Sequence, residues 1–308
     1  MVLITSDIVR SVQNRRMQIQ HLPSQTALTA AAARAAHLIV DGPPHIFTDY
    51  LAGQLLGQQA DEFISYHRAH GAHPVLSAAR AQATCRSRYT EDRLAGAATR
   101  GITQYVILGA GLDSFAYRRS DPASLHVFEV DHPATQEWKR EQLAQAGIPV
   151  PDGTAFVPAD FEHGELAAQL RGKGFDPARP ALVSWLGVTM YLTQPAISQT
   201  LAELGTLAPG TELITDYMLP AGLRDQDGQS FADQVAPIAA QHGEPWLTCP
   251  TPDEMSAQLT AHGFGQVRHI SQQDSISPQL WARSDTLHPV RLSMLADATI
   301  ATVATSPG

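Results

Sequence analysis

Two glycines, Gly109 and Gly111, follow a short apolar run at residues 105–108 and give the first indication of a ligand-binding site in this chain. A short apolar run with β-branched members is typical of a strand that is buried on both faces. Glycine lets the backbone turn sharply and lets a ligand approach the main chain where a Cβ would block it. This order of residues predicts a nucleotide-type site at the carboxyl end of a parallel strand, and the alternative is an ordinary tight turn.

The residues after the glycines bear on the type of ligand. A dinucleotide-binding loop has a third glycine at the start of its helix, whereas this chain has Ser114 there. Asp113 would also bring a negative charge towards a pyrophosphate. A ligand that has a cationic centre and no phosphates therefore fits this loop better than a dinucleotide does.

Acidic residues end the next two predicted strands. Asp131 follows Gly111 by 20 residues, and a carboxylate at this point of a nucleotide-binding fold accepts hydrogen bonds from ribose hydroxyls. The alternatives are that Asp131 caps the next helix or that Glu129, on the same strand face, binds the ribose. Asp160 and Phe161 match an adenine, because a carboxylate accepts from the amino group while an aromatic ring stacks on the base. The alternative for this pair is a turn cap and a core phenylalanine.

Strands that alternate with helices must position these residues. From residue 104 onward, short apolar runs alternate with helical stretches, which predicts right-handed crossovers and a mainly parallel sheet with helices on both faces. The predicted fold is therefore α/β, Rossmann-like and doubly wound. The predicted strands cover residues 105–108, 125–130, 154–157, 181–186 and 211–215, with edge strands at 264–270 and 274–276.

Helical patterns dominate the region before the first strand, at residues 27–40, 49–57, 61–70 and 76–100. Residues 1–24 are polar and are expected to form an extended lead-in or a short helix. We expect a single domain over residues 1–308. Its parts are a helical cover over 1–100, a Rossmann-like core over 101–275 with a loop-rich insertion at about 217–250, and a C-terminal tail over 276–308.

Composition excludes several classes of protein. Of the 308 residues, 44% are hydrophobic and 17% are charged, as in a globular chain, and the formal net charge of −9 disfavours a nucleic-acid partner. Cys85 and Cys249 are too few for a disulfide framework and lack the spacing of metal ligands, so no metal is expected. With no secretory signal and no apolar stretch of membrane-spanning length, we expect a soluble cytoplasmic protein with a small-molecule partner. The oligomeric state stays open.

Several sequence segments together form a recognisable pattern over about residues 26–216. The main segments are Leu108-Gly-Ala-Gly-Leu-Asp-Ser-Phe-Ala-Tyr-Arg118, Val127-Phe-Glu-Val-Asp-His-Pro133, Ala159-Asp-Phe161 and Trp185-Leu-Gly-Val-Thr-Met-Tyr-Leu-Thr193. Two upstream segments are Thr26-Ala-Leu-Thr-Ala-Ala-Ala-Ala-Arg34 and Arg86-Ser-Arg88-Tyr-Thr-Glu-Asp92. In this order, the segments resemble those of the leucine carboxyl methyltransferase family, in the bacterial branch that includes polyketide carboxyl O-methyltransferases.

The resemblance implies a methyltransferase that depends on S-adenosyl-L-methionine (SAM), and it assigns cofactor contacts residue by residue. Gly109 and Gly111, with Ala110 between them, would line the methionine and ribose portions. Asp131 would hold the ribose, and the 160–161 pair would meet the adenine. Leu186 completes the implied cofactor set, although relatives often carry a glutamate at this position, and the departure points to a subgroup.

Basic and aromatic residues complete the implied site. Arg86 is the best match for the arginine that grips the cofactor carboxylate in the family, and Arg88 is the alternative. Arg34 is the third candidate, near where relatives place a basic residue; its alternative is a solvated position on an alanine-rich helix. We expect Arg34, Trp185 and Tyr191 to face the acceptor, with core packing as the alternative for the two aromatic residues.

The resemblance implies methyl transfer to a small acceptor in secondary metabolism. No histidine or glutamate is identified as a general base, and the catalytic residues stay unknown; His132 is the one exception considered, at the second-strand turn. A carboxylate needs no base at neutral pH, whereas a phenol does, so an O-methyltransferase that acts on a carboxylate is favoured over one that acts on a hydroxyl. The alternatives are a nicotinamide-dependent oxidoreductase and a non-catalytic SAM-binding module.

Overall fold

The computed structural model describes residues 24–119 and 125–301. The strands of this part are β1 (Gln104–Leu108), β2 (His126–Asp131), β3 (Thr154–Pro158), β4 (Leu182–Trp185), β5 (Glu212–Met218), β6 (Phe264–Ile270) and β7 (Ser293–Ile300). The α-helices are α1 (Gln25–Val40), α2 (Ala52–Leu55), α3 (Ala60–His70), α4 (Pro74–Thr99), α5 (Phe115–Arg118), α6 (Pro133–Gln145), α7 (Leu166–Gly172), α8 (Gln194–Leu204), α9 (Gln226–Gln241) and α10 (Pro252–Ala261).

The seven strands form one sheet in the order β3-β2-β1-β4-β5-β7-β6. Strands β1 to β5 are parallel to one another, and β7 is antiparallel to both of its neighbours, β5 and β6. The predicted α/β class and mainly parallel sheet are confirmed. The chain runs outwards from β1 to β3 and then returns to β4 on the other side of β1, so a ligand crevice is expected at the carboxyl ends of β1 and β4.

The C-terminal region differs from the predicted tail over residues 276–308. Strand β7 lies between β5 and β6 and pairs with β5 from Glu212↔Thr299 to Met218↔Ser293. Asp297 interrupts the apolar pattern of this strand, and its carboxylate is buried against Arg268 at 2.6 Å. The expectation of a tail was wrong because a paired, buried aspartate is indistinguishable in sequence from a solvated one. Residues 274–276 form a turn rather than the predicted edge strand.

The predicted loop-rich insertion at about 217–250 contains α9, a helix of 16 residues. Its N-terminus is capped by Asp225, whose carboxylate accepts a hydrogen bond from the Gly228 backbone N–H at 2.7 Å. Several glutamines and aspartates mask the apolar face of this helix, which consists of Phe231, Val235 and Ala239 at intervals of four residues. Composition therefore concealed an amphipathic helix.

Helices α1 to α4 form the cover, in which α1 packs on α3 and α4. Buried alanines on α1, among them Ala31, Ala32 and Ala36, allow close packing. Ser24 caps α1 by accepting a hydrogen bond from Ala27 N–H at 3.2 Å. The rest of the predicted lead-in at 1–24 lies outside the described residues. Within the described part of the chain, no helix is long and apolar enough to cross a membrane.

Candidate functional site

A cavity of about 240 Å³ opens at the carboxyl ends of the central strands, and we call it the cofactor cavity. It brings together ten of the residues singled out from the sequence: Arg34, Arg86, Gly109, Ala110, Gly111, Asp131, Asp160, Phe161, Leu186 and Tyr191. These residues come from the ends of four strands and from α1 and α4. The parallel sheet gathers them because its strands all end at the same edge.

The glycine loop needs its glycines for both conformation and space. Gly109 and Gly111 have φ values of +66° and +46°, a region that disfavours residues with a Cβ. A Cβ on Gly109 would lie 2.2 Å from Val188 Cγ2, and one on Gly111 would lie 3.1 Å from Ala27 Cβ. The loop therefore packs closely between α1 and the segment after β4.

Asp131 is oriented by backbone donors. Its Oδ2 accepts from the Gly111 N–H at 2.5 Å and its Oδ1 accepts from the His132 N–H at 2.6 Å. Burial raises the pKa of Asp131, and these two hydrogen bonds oppose that shift. Each carboxylate oxygen keeps acceptor capacity for a ligand hydroxyl. The N-cap of α6 is His132, which accepts from Ala134 N–H, so the N-cap alternative for Asp131 is wrong.

Glu129, the other ribose candidate, points away from the cofactor cavity. Its side chain is fully buried, and its Oε2 accepts from Lys139 Nζ at 2.7 Å and from the Tyr117 hydroxyl at 3.0 Å. Desolvation raises the pKa of Glu129, while the Lys139 ammonium acts in the opposite direction. This carboxylate ties β2 to α5 and α6 rather than holding a ligand.

Asp160 and Phe161 lie at the end of the cofactor cavity beyond β3. Asp160 accepts from the Glu162 N–H at 3.0 Å and contacts His163 Nδ1 at 2.8 Å. Desolvation acts to raise the pKa of Asp160, but these hydrogen bonds together outweigh it and hold the pKa below its usual value. The Phe161 ring lies 6.0 Å from Trp185, centroid to centroid. Trp185 is 1% exposed and belongs to the hydrophobic core. It lines neither the cofactor cavity nor the second cavity described below, so the prediction that it faces the acceptor was wrong.

Arg86 on α4 is fixed by a residue that the motifs did not reveal. Its Nη1 donates to Asp216 Oδ2 at 2.9 Å, and the other oxygen of Asp216 accepts from the Gly187 N–H at 2.5 Å. Asp216 therefore joins α4 to the corner after β4. Arg88, the alternative to Arg86, has a side chain that is 42% exposed, pairs with Asp92 and does not line the cavity.

Arg34 is 7% exposed, so the solvated alternative is wrong. Its Nε donates to Asp49 Oδ2 at 2.8 Å and its Nη2 donates to the Leu112 carbonyl at 2.7 Å. Arg118 continues this charge network, with its Nε 3.4 Å from Asp49 Oδ1 and its Nη2 2.5 Å from Glu91 Oε1. The network links the cover to the back of the glycine loop.

Ser114, which replaces the third glycine of a dinucleotide site, belongs to the same network. Its Oγ accepts from Arg118 Nε at 2.7 Å. Burial raises the pKa of Glu91 to about 7, although the Arg118 guanidinium acts to lower it. The serine therefore has a structural role that glycine lacks.

Glu244, in the loop after α9, also lines the cofactor cavity and was missed from the sequence. It accepts from Ser24 Oγ at 2.5 Å and from the Thr26 N–H at 3.2 Å. These bonds join the start of α1 to a loop more than 200 residues later in the chain. No local signal marks Glu244, because its partners are distant in sequence.

A second cavity, of about 120 Å³, adjoins the first, and we call it the acceptor cavity. Five residues line both cavities and so form their junction: Thr26, Ala30, Arg86, Gly187 and Tyr191. The walls of the acceptor cavity are mostly apolar side chains from α1, α4 and α9. Burial, with a smaller contribution from the Glu244 charge, raises the pKa of Tyr191 to about 12.

The Rossmann-like sheet reverses its strand order at β1, and carboxylates and an arginine lie at that point. This arrangement is typical of enzymes that bind a nucleoside-type cofactor. A family comparison identifies the enzyme class, because the model of the leucine carboxyl methyltransferase family matches residues 27–205. The chain belongs to this family, and the sequence-based prediction of a SAM-dependent methyltransferase is confirmed.

Named relatives agree with this assignment. YktD of Bacillus subtilis, assigned by inference as a SAM-dependent methyltransferase, is 31% identical over 275 residues, spanning 82% of this chain and 89% of YktD. A Mycobacterium tuberculosis protein with the same assignment is 34% identical over 259 residues, spanning 77% of this chain and 80% of its own length.

Solved structures share the fold at low identity. A structure from Thermobifida fusca, titled as a methyltransferase by inference, has a TM-score of 0.57 and 20% identity, and the match covers 92% of this chain and 96% of that one. A DUF574 family protein from Streptomyces avermitilis has a TM-score of 0.52 and 16% identity, with coverage of 91% and 99%.

Proposed function

We propose that this protein transfers a methyl group from SAM to a carboxylate oxygen of a small acceptor, which yields a methyl ester. The observation that carries the proposal is the junction between the two cavities. Arg86 and Tyr191 lie there, and neither side chain is suited to remove a proton at neutral pH. An acceptor oxygen that reacts at this junction must therefore arrive already deprotonated.

The cofactor cavity fits SAM group by group. The Arg86 guanidinium provides a partner for the methionyl carboxylate, and Asp131 provides acceptors for the ribose hydroxyls. Phe161 provides a ring on which the adenine can stack, and Asp160 provides an acceptor for its amino group. Four carboxylates, Asp113, Asp131, Asp160 and Glu244, line this cavity against two arginines, a balance that favours a cationic ligand without phosphates.

Base catalysis is poorly supported by the groups that line the two cavities. Tyr191 has a pKa raised to about 12. His132 accepts from a backbone N–H as the cap of α6, and Glu244 accepts two hydrogen bonds from the start of α1. A carboxylate, with a reference pKa of about 4, needs no base, whereas a phenol near 10 does.

The residues of this chain contribute position and exclusion of water. When bound, SAM supplies a methyl group on a cationic sulfur, and the acceptor oxygen displaces that sulfur in line. The glycine loop and the corner at Gly187 hold the cofactor side, and the apolar walls keep water from the acceptor side. Positioning of two reactants lowers the barrier by up to roughly 7–11 kcal/mol, without a covalent intermediate on the protein.

Transfer of label from methyl-labelled SAM tests this proposal. Cell extract incubated with the protein should yield a labelled small molecule that releases labelled methanol under mild alkali, as a methyl ester does. The Asp131→Ala variant should give no such product. A product that keeps its label in alkali would be an ether or an amine, and it would overturn the assignment of a carboxylate acceptor.

A further inference from the structure

One face of each of three helices supplies most of the lining of the acceptor cavity. Its lining positions recur at the three- and four-residue spacing that marks a single helix face. On α1 they are Thr26, Thr29, Ala30 and Ala33; on α4 they are Ala79, Gln82, Ala83 and Arg86; on α9 they are Phe231, Val235 and Ala239. Small residues on α1 and α4 leave the space, and larger apolar residues on α9 close it.

Gln82 stands out in this lining because it is a buried amide among apolar neighbours. Its Nε2 donates to Ser293 Oγ at 3.2 Å and lies 3.9 Å from Met218 Sδ. A thioether sulfur accepts but cannot donate, so this contact fixes the amide with its nitrogen towards Met218. Among the described residues, the carbonyl oxygen Oε1 of Gln82 has no donor, which leaves it available to a ligand.

Gln82 and Arg86 lie on the same face of α4, four residues apart. Their separation along the helix axis is about 6 Å, at 1.5 Å per residue. Arg86 lies at the junction with the cofactor cavity, whereas Gln82 lines the acceptor cavity and a neighbouring space of about 10 Å³ but not the cofactor cavity. A ligand that fills the acceptor cavity therefore meets Arg86 at its reacting end and Gln82 at a point roughly one ring length away.

We infer that the acceptor is a small acid with an apolar body about the size of one ring. This acid carries a hydroxyl or N–H group at the end distal to its reacting carboxylate, and Gln82 selects for that donor. The identity of the reacting group rests on the proposed function; the selection by Gln82 rests on the cavity itself. A dry cavity of about 150 Å³ holds one benzene ring, and the acceptor cavity of about 120 Å³ gains room where it opens at the junction.

Matched ligand pairs test the inference by binding, without the need for methyl transfer. Calorimetry on the full-length protein saturated with S-adenosylhomocysteine would compare 4-hydroxybenzoate with the isosteric 4-methylbenzoate, and 4-hydroxyphenylacetate with 4-methylphenylacetate. The wild type should bind the hydroxyl member of at least one pair ten- to one-hundredfold more tightly. This is the range expected when a buried acceptor gains or lacks its partner.

Two variants separate selection from structure. Gln82→Leu should bring the affinity ratio of that pair to within threefold of one. Ser293→Ala is the control, because it removes the hydrogen bond to Gln82 Nε2 from a residue that does not line the acceptor cavity. The control should keep the wild-type ratio within about threefold.

The outcomes distinguish this inference from the proposed function. Equal affinities within both pairs, a ratio that survives Gln82→Leu, or failure of all four acids to bind would overturn the inference. Selective binding that depends on Gln82, without transfer of methyl from SAM to the bound acid, would support the inference and contradict the proposed function. Transfer of methyl from SAM to the bound acid, without selective binding of the hydroxyl member, would support the proposed function and contradict the inference.

Discussion

Arg86 Nη1 donates to Asp216 Oδ2 at 2.9 Å, across 130 residues of sequence. Asp216 is 2% exposed and also accepts from the Gly187 N–H, so one carboxylate sets both the arginine and the corner after β4. Two groups at the junction of the cavities therefore share one partner. We propose that Asp216 is a positioning residue for the cofactor.

Asp216→Ala should weaken SAM binding, because it frees the Arg86 guanidinium and removes an acceptor from Gly187 N–H. A hydrogen bond to a charged group contributes about 1.5–3 kcal/mol, so we expect the dissociation constant to rise by about 10- to 100-fold. Isothermal titration calorimetry with SAM measures the change. Asp216→Asn, which keeps an acceptor for one of the two donors, should lose less. An alanine variant that binds SAM as tightly as the wild type would show that Arg86 does not depend on Asp216.

Asp131→Ala should weaken SAM binding more than Asp160→Ala does. Asp131 is fixed by the N–H groups of Gly111 and His132, so its loss removes the ribose partner and loosens the glycine loop as well. Asp160 has a side chain that is 46% exposed, where solvent competes for the same hydrogen bonds. Equilibrium dialysis with labelled SAM ranks the two variants. A larger loss for Asp160→Ala would contradict the assignment of the ribose to Asp131.

Three glycine-to-alanine variants should separate backbone strain from steric overlap. Gly109→Ala combines a φ of +66° with a contact at 2.2 Å to Val188, and it should abolish SAM binding and lower the melting temperature. Gly101→Ala has a φ of +92° but nothing within 4 Å, so it should cost only the strain of about 1–2 kcal/mol. Gly172→Ala, at the end of α7 with open space around it, should be neutral or stabilising. Thermal melts with and without SAM measure the series, and tight SAM binding by Gly109→Ala would refute the close packing of this loop.

Glu91 should make stability depend on pH. Its pKa is raised by burial to about 7, above the ordinary value of 4.5. Between these values the folded chain binds more protons than the unfolded chain, so the free energy of unfolding of the wild type should fall as pH rises, and level off above pH 7. Glu91→Gln cannot titrate, so the wild type should lose stability relative to this variant between pH 5 and pH 7.

Urea denaturation at intervals of half a pH unit measures that difference. Glu254→Gln is the control, because backbone and side-chain hydrogen bonds from Thr251 lower the pKa of Glu254 and place its titration below this window. The difference between wild type and Glu254→Gln should stay flat from pH 5 to pH 7. A flat difference for Glu91→Gln as well would show that Glu91 titrates as an ordinary glutamate.

The sequence determined the parallel core and the floor of the cofactor cavity. Gly109, Gly111, Asp131 and Asp160 each lie at the end of an apolar run, and the carboxyl ends of parallel strands meet at one edge of the sheet. Local pattern was sufficient for these residues, because strand direction and strand ends can both be predicted from neighbours in the chain.

Tertiary structure alone decided the residues whose roles depend on distant partners. Asp216 meets Arg86 across 130 residues, and Glu244 meets Ser24 across 220 residues. Strand β7 and helix α9 were missed for a related reason, since their buried polar residues and scattered glutamines are explained only by what packs against them. A polar side chain has the same sequence signature whether it is solvated, paired in the core or directed at a ligand. Only the folded chain shows which of these environments each one occupies.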